Sequence, residues 1–155
     1  MRYFTYTLGA LNASAVPLSP PATHNAGARY WIPTENEWYK AAYHKRNDLE
    51  PGGYYEYPTS SSLIPTASLP SSLPNSANFV RVGGSAVGSG PGVPTDVGAY
   101  IGTRSPYGAY DMGGNVFQWT EAQFGSNRGV RGGSYAGTEM DMISTARWSY
   151  YSDGI

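Results

Sequence analysis

The residues best suited to chemistry lie in the stretch GAYDMGGNVFQW, residues 108–119. Asn115 follows two glycines, and the aromatic residues Phe117 and Trp119 alternate after it. Side-chain amide and backbone carbonyl oxygens are ligands that hard cations accept. Two interpretations follow. Either the stretch packs its aromatic side chains around a tight turn, or Asn115 begins a cation site completed by the strand that follows.

The sequence contains few residues that could perform thiol or imidazole chemistry. The chain contains no cysteine and two histidines, His24 and His44. A disulfide, a thiolate nucleophile and a Cys-ligated metal are therefore excluded for these residues. No recognisable motif places a nucleophile beside either histidine. We expect His44 at the C-terminus of a helix, where a cation interacts favourably with the dipole, and His24 in a solvated Pro-rich loop.

The composition predicts one loop-rich domain over residues 1–155. Charged residues make up 14% of the chain, against roughly 25% in average soluble domains. There are 20 Gly, 12 Pro and 14 Tyr, a composition typical of packed loops and contact surfaces. A net charge of −1 gives no electrostatic reason to expect a nucleic acid or an anionic membrane as partner. No apolar run is long enough to span a membrane.

The segment WIPTENEWYKAAY carries the strongest helix signal. Thr34 followed by Glu37 forms a capping box, and Pro33 stops the helix from starting earlier. Trp38 shares a helical face with two alanines, which predicts that it anchors the helix in the core. The predicted helix runs from Glu35 to His44.

The other predicted elements are short. The stretch from residue 47 to residue 92 is rich in Gly, Ser, Pro and Tyr, and two alternatives stay open: part of it is disordered, or bound ions and aromatic packing order it. Alternation predicts five short strands: residues 3–8, 97–101, 115–119, 128–135 and 143–150.

Five motifs then resemble one known family. WIPTENEWYKAAY, TDVGAY, YGAYDMGGNVFQW, RGVRGGSY and TARWS occur in that order. Together they are similar to the formylglycine-generating, sulfatase-modifying factor family. The resemblance implies an α+β, C-type-lectin-like fold with short twisted strands, few helices and much irregular loop. It also implies an incomplete domain, because the N-terminal strand and helix and the C-terminal "GFR" strand of the family are absent.

The resemblance argues against the family's oxidative chemistry in this chain. Its oxidases hold copper(I) with two cysteines shortly after RGGSY, and soft thiolates suit that ion. Here AGTEMDMIS follows Tyr135 and offers two methionines but no thiol. The related sulfoxide synthases hold iron with three histidines, more than this chain has. We therefore expect neither a copper nor an iron site.

The resemblance also implies weak calcium sites. One would use Asn115, the Val116 carbonyl and Gln118, which stands where the family has a glutamate. A second would use Asn78 and the Phe79 carbonyl, followed by a loop without Asp or Glu. Carboxylates set much of calcium affinity. Two alternatives stay open: calcium binds weakly, or the amides only hydrogen-bond the loop.

A ligand-binding face is predicted after the RGGS strand. Exposed aromatic and short polar side chains make a contact surface at low entropic cost. We expect Trp148 to lie in the core. Arg131 and Arg147 are expected to brace loops through hydrogen bonds, and Arg147 is also expected to line the ligand cleft. The predicted face consists of Tyr135, Thr138, Glu139, Asp141, Arg147, Tyr150 and Tyr151, of which Thr138, Glu139, Asp141, Tyr150 and Tyr151 are expected to be exposed.

These observations favour a non-catalytic, lectin-like binding or display module that recognises a protein or a glycan. By resemblance, it would belong to an exported, periplasmic or surface protein, although the opening residues contain no signal peptide. The alternative is an oxidoreductase with unrecognised chemistry. A further interpretation, nested in the first, is a variable protein of a diversity-generating retroelement, since those proteins share the fold and an RGGS strand.

Overall fold

The computed structural model describes residues 24, 26–46, 52–80 and 92–151. Within these residues one α-helix and five short strands are separated by long ordered loops. The α+β class with few helices and much irregular structure is confirmed. In chain order the elements are α1 (Glu35–Tyr43), β1 (Thr66–Ala67), β2 (Ser76–Ala77), β3 (Gln118–Phe124), β4 (Asn127–Arg131), a 3₁₀ helix (Glu139–Asp141) and β5 (Trp148–Tyr151).

The start of α1 is fixed by the predicted capping box. The Thr34 hydroxyl accepts a hydrogen bond from the Glu37 N–H at 3.2 Å, and the Glu37 carboxylate accepts one from the Thr34 N–H at 2.9 Å. The hydrogen bonds from Thr34 hold the pKa of Glu37 below its usual range. His44 caps the C-terminus, with its N–H donating to the Lys40 carbonyl at 3.2 Å. The predicted start of this helix is confirmed, and it ends at Tyr43, one residue before the predicted end.

Two buried clusters form the core, and α1 joins them. The first packs Trp38, Ala42 and Tyr43 of α1 against Met112, so the predicted burial of Trp38 is confirmed. The second is built around β1 and β2, which pair in parallel; its buried members are Tyr57, Ala67, Ala77, Phe79 and Met142. The Tyr43 hydroxyl donates to the Met142 carbonyl at 2.8 Å and links the two clusters.

The larger sheet has the order β3-β4-β5, and both pairings are antiparallel. Its central strand, β4, is buried from Arg128 to Arg131, whereas β5 is largely exposed. Gly125 has φ 64° and opens the two-residue turn between β3 and β4. A left-handed residue at that position matches the twist of the flanking strands. Nothing in the described part of the chain forms a helix long and apolar enough to cross a membrane.

The predicted strand bounds were wrong in several places. Residues 97–101 form turns, and residues 115–117 precede β3 because Asn115 has φ 60°. β4 ends at Arg131 because Gly132 and Gly133 follow with φ 90° and 72°. Residues 143–147 are irregular, so the last strand begins only at Trp148. The predicted strand at residues 3–8 lies outside the described residues.

Candidate functional site

The turn at Asn115 is a close approach of two backbone segments. The Asn115 N–H donates to the Asn78 carbonyl at 2.8 Å, and the Asn115 carbonyl accepts from the Tyr135 N–H at 2.8 Å. Gly114 adopts φ 74°, and a Cβ there would lie 2.4 Å from the Asn78 carbonyl oxygen. Only glycine fits that position, because any side chain would collide with backbone atoms. The glycines of GAYDMGGNV thus permit a junction between residues far apart in sequence.

The two predicted calcium sets meet at this junction. Asn78 Nδ2 donates to Asn115 Oδ1 at 3.3 Å and to the Val93 carbonyl at 2.9 Å. Asn115 Oδ1 also accepts from the Thr95 N–H at 2.8 Å, while Asn115 Nδ2 donates to the Thr95 carbonyl at 3.1 Å. The Asn115 amide therefore pairs with the Thr95 backbone in the manner of a short β-ladder.

Gln118 is engaged at both ends of its amide. Its Oε1 accepts from the Trp38 indole N–H at 2.7 Å, and its Nε2 donates to the Asp111 carbonyl. The hydrogen bond to Gln118 Oε1 satisfies the indole donor of Trp38, which is buried in the first cluster. A glutamate at this position would keep an oxygen for Trp38 but would have no N–H for Asp111.

The side chains of Asn115 and Gln118 do not fit a calcium ion as they are placed, because N–H donors point at both of their oxygens. Val116 is about half exposed and Phe79 is fully buried.

Asn78 Oδ1 differs from the side-chain oxygens of Asn115 and Gln118, since it is buried and has no hydrogen-bond partner among the described residues. Asn78 lines a small recess of about 10 Å³ together with Asp111 and several hydroxyl groups. Calcium binding at Asn78 stays a prediction.

A copper(I) site after RGGSY is not supported by the donors present. The two methionines found there in place of thiols differ in exposure: Met140 is exposed, whereas Met142 is fully buried in the second core cluster. The described residues also contain no group of three or more His, Cys, Asp or Glu side chains that could hold a metal ion.

The first part of the predicted ligand face is built into the fold. Asp141 Oδ2 accepts from the Thr138 N–H at 2.7 Å, which closes the 3₁₀ turn, and both residues are half-buried. Tyr135 is also half-buried. Glu139 is 8% exposed, so its expected exposure was wrong, and Thr138 and Asp141 are less exposed than expected. The burial of the Glu139 carboxylate could not be predicted from the sequence, because the spacing of the neighbouring residues predicted a solvated loop and not a 3₁₀ helix.

The second part of the face, around β5, is open to solvent. Tyr150 and Tyr151 are 48% and 61% exposed, as expected. Trp148 is 48% exposed, so its prediction as a core residue was wrong. Its cross-strand partner Val130 lies on the buried central strand, whereas Trp148 lies on the outer strand of the described sheet. Phe117, which was not predicted as part of the face, contacts Tyr150 with ring centroids 5.6 Å apart.

Arg131 and Arg147 meet at one carboxylate, that of Glu35. Arg131 Nη2 donates to the Ser144 carbonyl at 3.0 Å, and Arg131 Nε lies 3.8 Å from Glu35 Oε1. Arg147 Nε lies 2.8 Å from the same oxygen. Burial lowers the pKa of Arg131, and the positive charge of Arg147 adds to that effect. Arg131 donates to a loop carbonyl as expected, whereas Arg147 makes an ion pair with Glu35, and its predicted place in a ligand cleft stays a prediction. The role of Glu35 was missed because it was interpreted only as a helix-start residue.

Both histidines contribute to structure. His44 Nδ1 lies 2.9 Å from the Tyr107 hydroxyl. His24 is not solvated as predicted: it is half-buried, stacks on Trp31 and pairs through Nδ1 with Glu121 Oε1 at 2.9 Å. Neither arrangement places a nucleophile beside the ring in the contacts that the described residues make.

Comparison with known proteins supports the fold. The sequence model described as "Sulfatase-modifying factor enzyme 1-like domain" matches residues 4–153. Among solved structures, "Treponema denticola variable protein 1" is similar, with a TM-score of 0.50 and 21% sequence identity over 92% of this chain. The alignment covers 51% of that protein, so the chain spans about half of its length. No curated protein matches the chain.

Proposed function

The chain belongs to the sulfatase-modifying factor enzyme 1-like domain family. We propose that it is a non-catalytic module of this fold that binds a ligand or displays a contact surface. The parent protein would be exported or attached to a cell surface, and the ligand would be a protein or a glycan. This function needs a rigid scaffold and an exposed contact surface, and it needs no thiol.

The observation that carries the proposal is the state of the segment after β4. The family resemblance requires two thiols there, and the chain has none. The segment instead closes a 3₁₀ turn through Thr138 and Asp141 and sends Met142 into the core. Residues that serve packing in this way are not available for redox chemistry.

The contact surface is supplied by β5. Three of its four residues, Trp148, Tyr150 and Tyr151, are exposed aromatics. Large aromatic side chains bury much area on binding and lose few rotatable bonds, which makes them effective contact residues. The similar solved structure is named a variable protein, and we take this name as support for a display role on the same fold.

The direct test is an activity assay. The domain, copper and oxygen are incubated with a Cys-containing sulfatase peptide, and formation of the aldehyde is followed by mass spectrometry. We expect no product above a reaction without protein, while a Cys-containing oxidase of the family serves as the positive control. Aldehyde that forms only when the domain is present would refute a non-catalytic function.

A stability assay tests the display part of the proposal. Trp148→Ser, Tyr150→Ser and Tyr151→Ser should each lower the free energy of unfolding much less than Trp38→Ser does, because about half or more of each of these side chains is exposed whereas Trp38 is buried. Trp38→Ser, in the first core cluster, is the matched destabilising control. A loss at Trp148 as large as that at Trp38 would show that β5 is needed for packing and cannot serve as a free contact surface.

A further inference from the structure

One buried oxygen beside the Asn115 turn lacks a hydrogen-bond donor. Asn78 is 1% exposed, and its Oδ1 atom has no partner among the described residues. Burying a carbonyl oxygen without a donor forfeits the hydrogen bonds that it made with water, so such atoms are rare in folded proteins. Two explanations exist: the amide has the opposite orientation, or a bound molecule donates to the oxygen.

The neighbouring acceptors fix the orientation of the Asn78 amide. Its Nδ2 donates to the Val93 carbonyl at 2.9 Å and to Asn115 Oδ1 at 3.3 Å. The Asn115 amide is fixed in turn, because its Oδ1 accepts from the Thr95 N–H while its Nδ2 donates to the Thr95 carbonyl. Turning the Asn78 amide over would direct its oxygen at two acceptors and lose both hydrogen bonds. Amide orientation therefore does not explain the missing donor.

Asn78 lines a recess whose size matches one water molecule. The recess has a volume of about 10 Å³, and roughly 10 to 15 Å³ is the least that holds a single water. Its wall is formed by residues 58–59, by residues 76–78 and by the stretch between residues 100 and 115. A molecule bound there contacts three segments that are distant in sequence.

Most hydroxyl groups of the recess wall donate their protons to other oxygens. Each hydroxyl has a single proton, so one that donates elsewhere is not a donor to Asn78 Oδ1. Four of the lining hydroxyls are engaged in this way: Thr59 donates to Asn75 Oδ1, Tyr100 to the Ser68 carbonyl, and Ser76 and Thr103 to the Leu73 carbonyl. The recess is therefore rich in acceptors and suits a ligand that brings its own protons.

Ser105 and Asp111 provide further partners for such a ligand. Ser105 is 4% exposed, and its oxygen accepts from the Ala109 N–H at 3.2 Å, which leaves its proton to be donated. Asp111 accepts from the Gly98 N–H through Oδ2, so its Oδ1 remains a further acceptor. Buried waters typically make about three hydrogen bonds. In this recess a water can donate to Asn78 Oδ1 and to Asp111 and accept from Ser105.

We propose that the recess binds one water-sized hydrogen-bond donor, which donates to Asn78 Oδ1 and bridges the three segments. Water is the neutral ligand of this class, and the ammonium ion is the charged one. Calcium fits less well, because it takes six to eight oxygens with carboxylates among them. Among the described lining residues Asp111 is the one carboxylate, and the cationic Arg104 is also present. None of the lining residues belongs to β5, so the site is independent of the proposed binding function.

A methyl group in the recess wall reports a bound water in solution. Ala77 is 2% exposed and lines the recess, whereas Ala42 is equally buried, lies in the first core cluster and does not line it. In the full chain with ¹³C-labelled alanine methyl groups, we expect a water-to-methyl nuclear Overhauser effect at Ala77 and none at Ala42. Its sign should be that of a water that tumbles with the protein.

An isotope-edited titration distinguishes the two ligands of this class. ¹⁵N-labelled ammonium chloride is added, with sodium chloride at the same ionic strength as the control. An effect from ¹⁵N-bound protons to the Ala77 methyl assigns the site to ammonium, and the water effect alone assigns it to water. Ammonium affinity should fall about tenfold in Asp111→Asn, since a charged partner is lost, and should not change in Asp96→Asn, because Asp96 is exposed and does not line the recess.

A crystal structure of the full chain locates the ligand directly. We expect one density peak at about 2.7 to 3.2 Å from Asn78 Oδ1, the distance of an ordinary hydrogen bond. Three results would overturn the proposal: no peak there together with no effect at Ala77, a donor to Asn78 Oδ1 supplied by the protein itself, or a metal ion with roughly six or more oxygen ligands at about 2.3 to 2.6 Å. The aldehyde assay is unaffected by each of these outcomes, so the non-catalytic function is judged separately.

Discussion

Replacing Glu35 by Gln removes the carboxylate between two arginines while nearly preserving the shape of the side chain. The consequence depends on which arginine relies on it. Arg147 is mostly exposed and can be solvated, but Arg131 is almost fully buried under three aromatic rings. We therefore expect the loss of stability to come from Arg131, although its nitrogen is the more distant one.

The magnitude follows from distance and burial. Two unit charges 3.8 Å apart attract by roughly 4 kcal/mol at an effective dielectric constant of about 20. The variant also avoids the cost of burying Glu35, which offsets part of this loss. We expect Glu35→Gln to lower the free energy of unfolding by about 2 to 3 kcal/mol. The exposed pair with Arg147 contributes about 0.2 to 1 kcal/mol, so Arg147→Gln should cost less than about 1 kcal/mol.

Urea unfolding followed by tryptophan fluorescence measures the difference. Glu56→Gln is the matched control, because Glu56 is exposed and its replacement should have little effect. The slope of free energy against urea should stay constant, which identifies a true change in stability. If Glu35→Gln costs no more than Arg147→Gln or Glu56→Gln, Glu35 does not stabilise the buried charge and the argument is refuted.

Three further predictions test other parts of the molecule. Calcium should raise the melting temperature of the wild type only slightly, whereas Gln118→Glu should be destabilised in EGTA, because Asp111 loses its N–H donor, and should recover with calcium; identical responses would contradict this. In urea unfolding, Thr34→Ala should cost about 1 kcal/mol through the lost cap and Trp38→Ala roughly 3 to 5 kcal/mol through the opened core; equal small losses would disprove the packing of α1. Burial raises the pKa of Tyr43 above its ordinary value of 10.0, so the unfolded chain ionises first. Stability should be intact below about pH 10 and decline above it, less steeply in Tyr43→Phe; identical alkaline profiles would rule out Tyr43 as the cause.

The helix was predictable because its determinants are local. The capping box of Thr34 and Glu37 and the helical spacing of Trp38 lie within one turn or two, so the sequence contains the whole signal. The strand near Asn115 was not predictable to the same degree. Its start depends on a left-handed residue that contacts the Asn78 backbone, 37 positions earlier in the chain. Alternation of aromatic residues gives no indication of that contact.

The errors in the predicted face have the same origin. Trp148 was expected in the core because large aromatics usually are, but exposure is decided by its position on an outer strand. Glu139 was expected in solvent because its neighbours show no packing pattern, but it lies on the turn that returns the chain to the core. In both cases the prediction used only local information, and the environment of the side chain was set by elements distant in sequence.

The sheet separates residues that maintain the fold from residues that are free to contact a partner. On β4, every residue from Arg128 to Arg131 is buried, and the next residue, Gly132, would place any Cβ 2.9 Å from the Met112 carbonyl oxygen. On β5, by contrast, the side chains are exposed or half-buried, although the backbone is paired to β4 throughout. Because backbone pairing requires no particular side chain, substitutions on β5 should change recognition at little cost in stability. Arg147 is the exception, since Glu35 ties it to the buried Arg131. Trp148 and Tyr150 lie on one face of β5 and Tyr151 on the other, so we expect these three positions to tolerate substitution with little loss of stability.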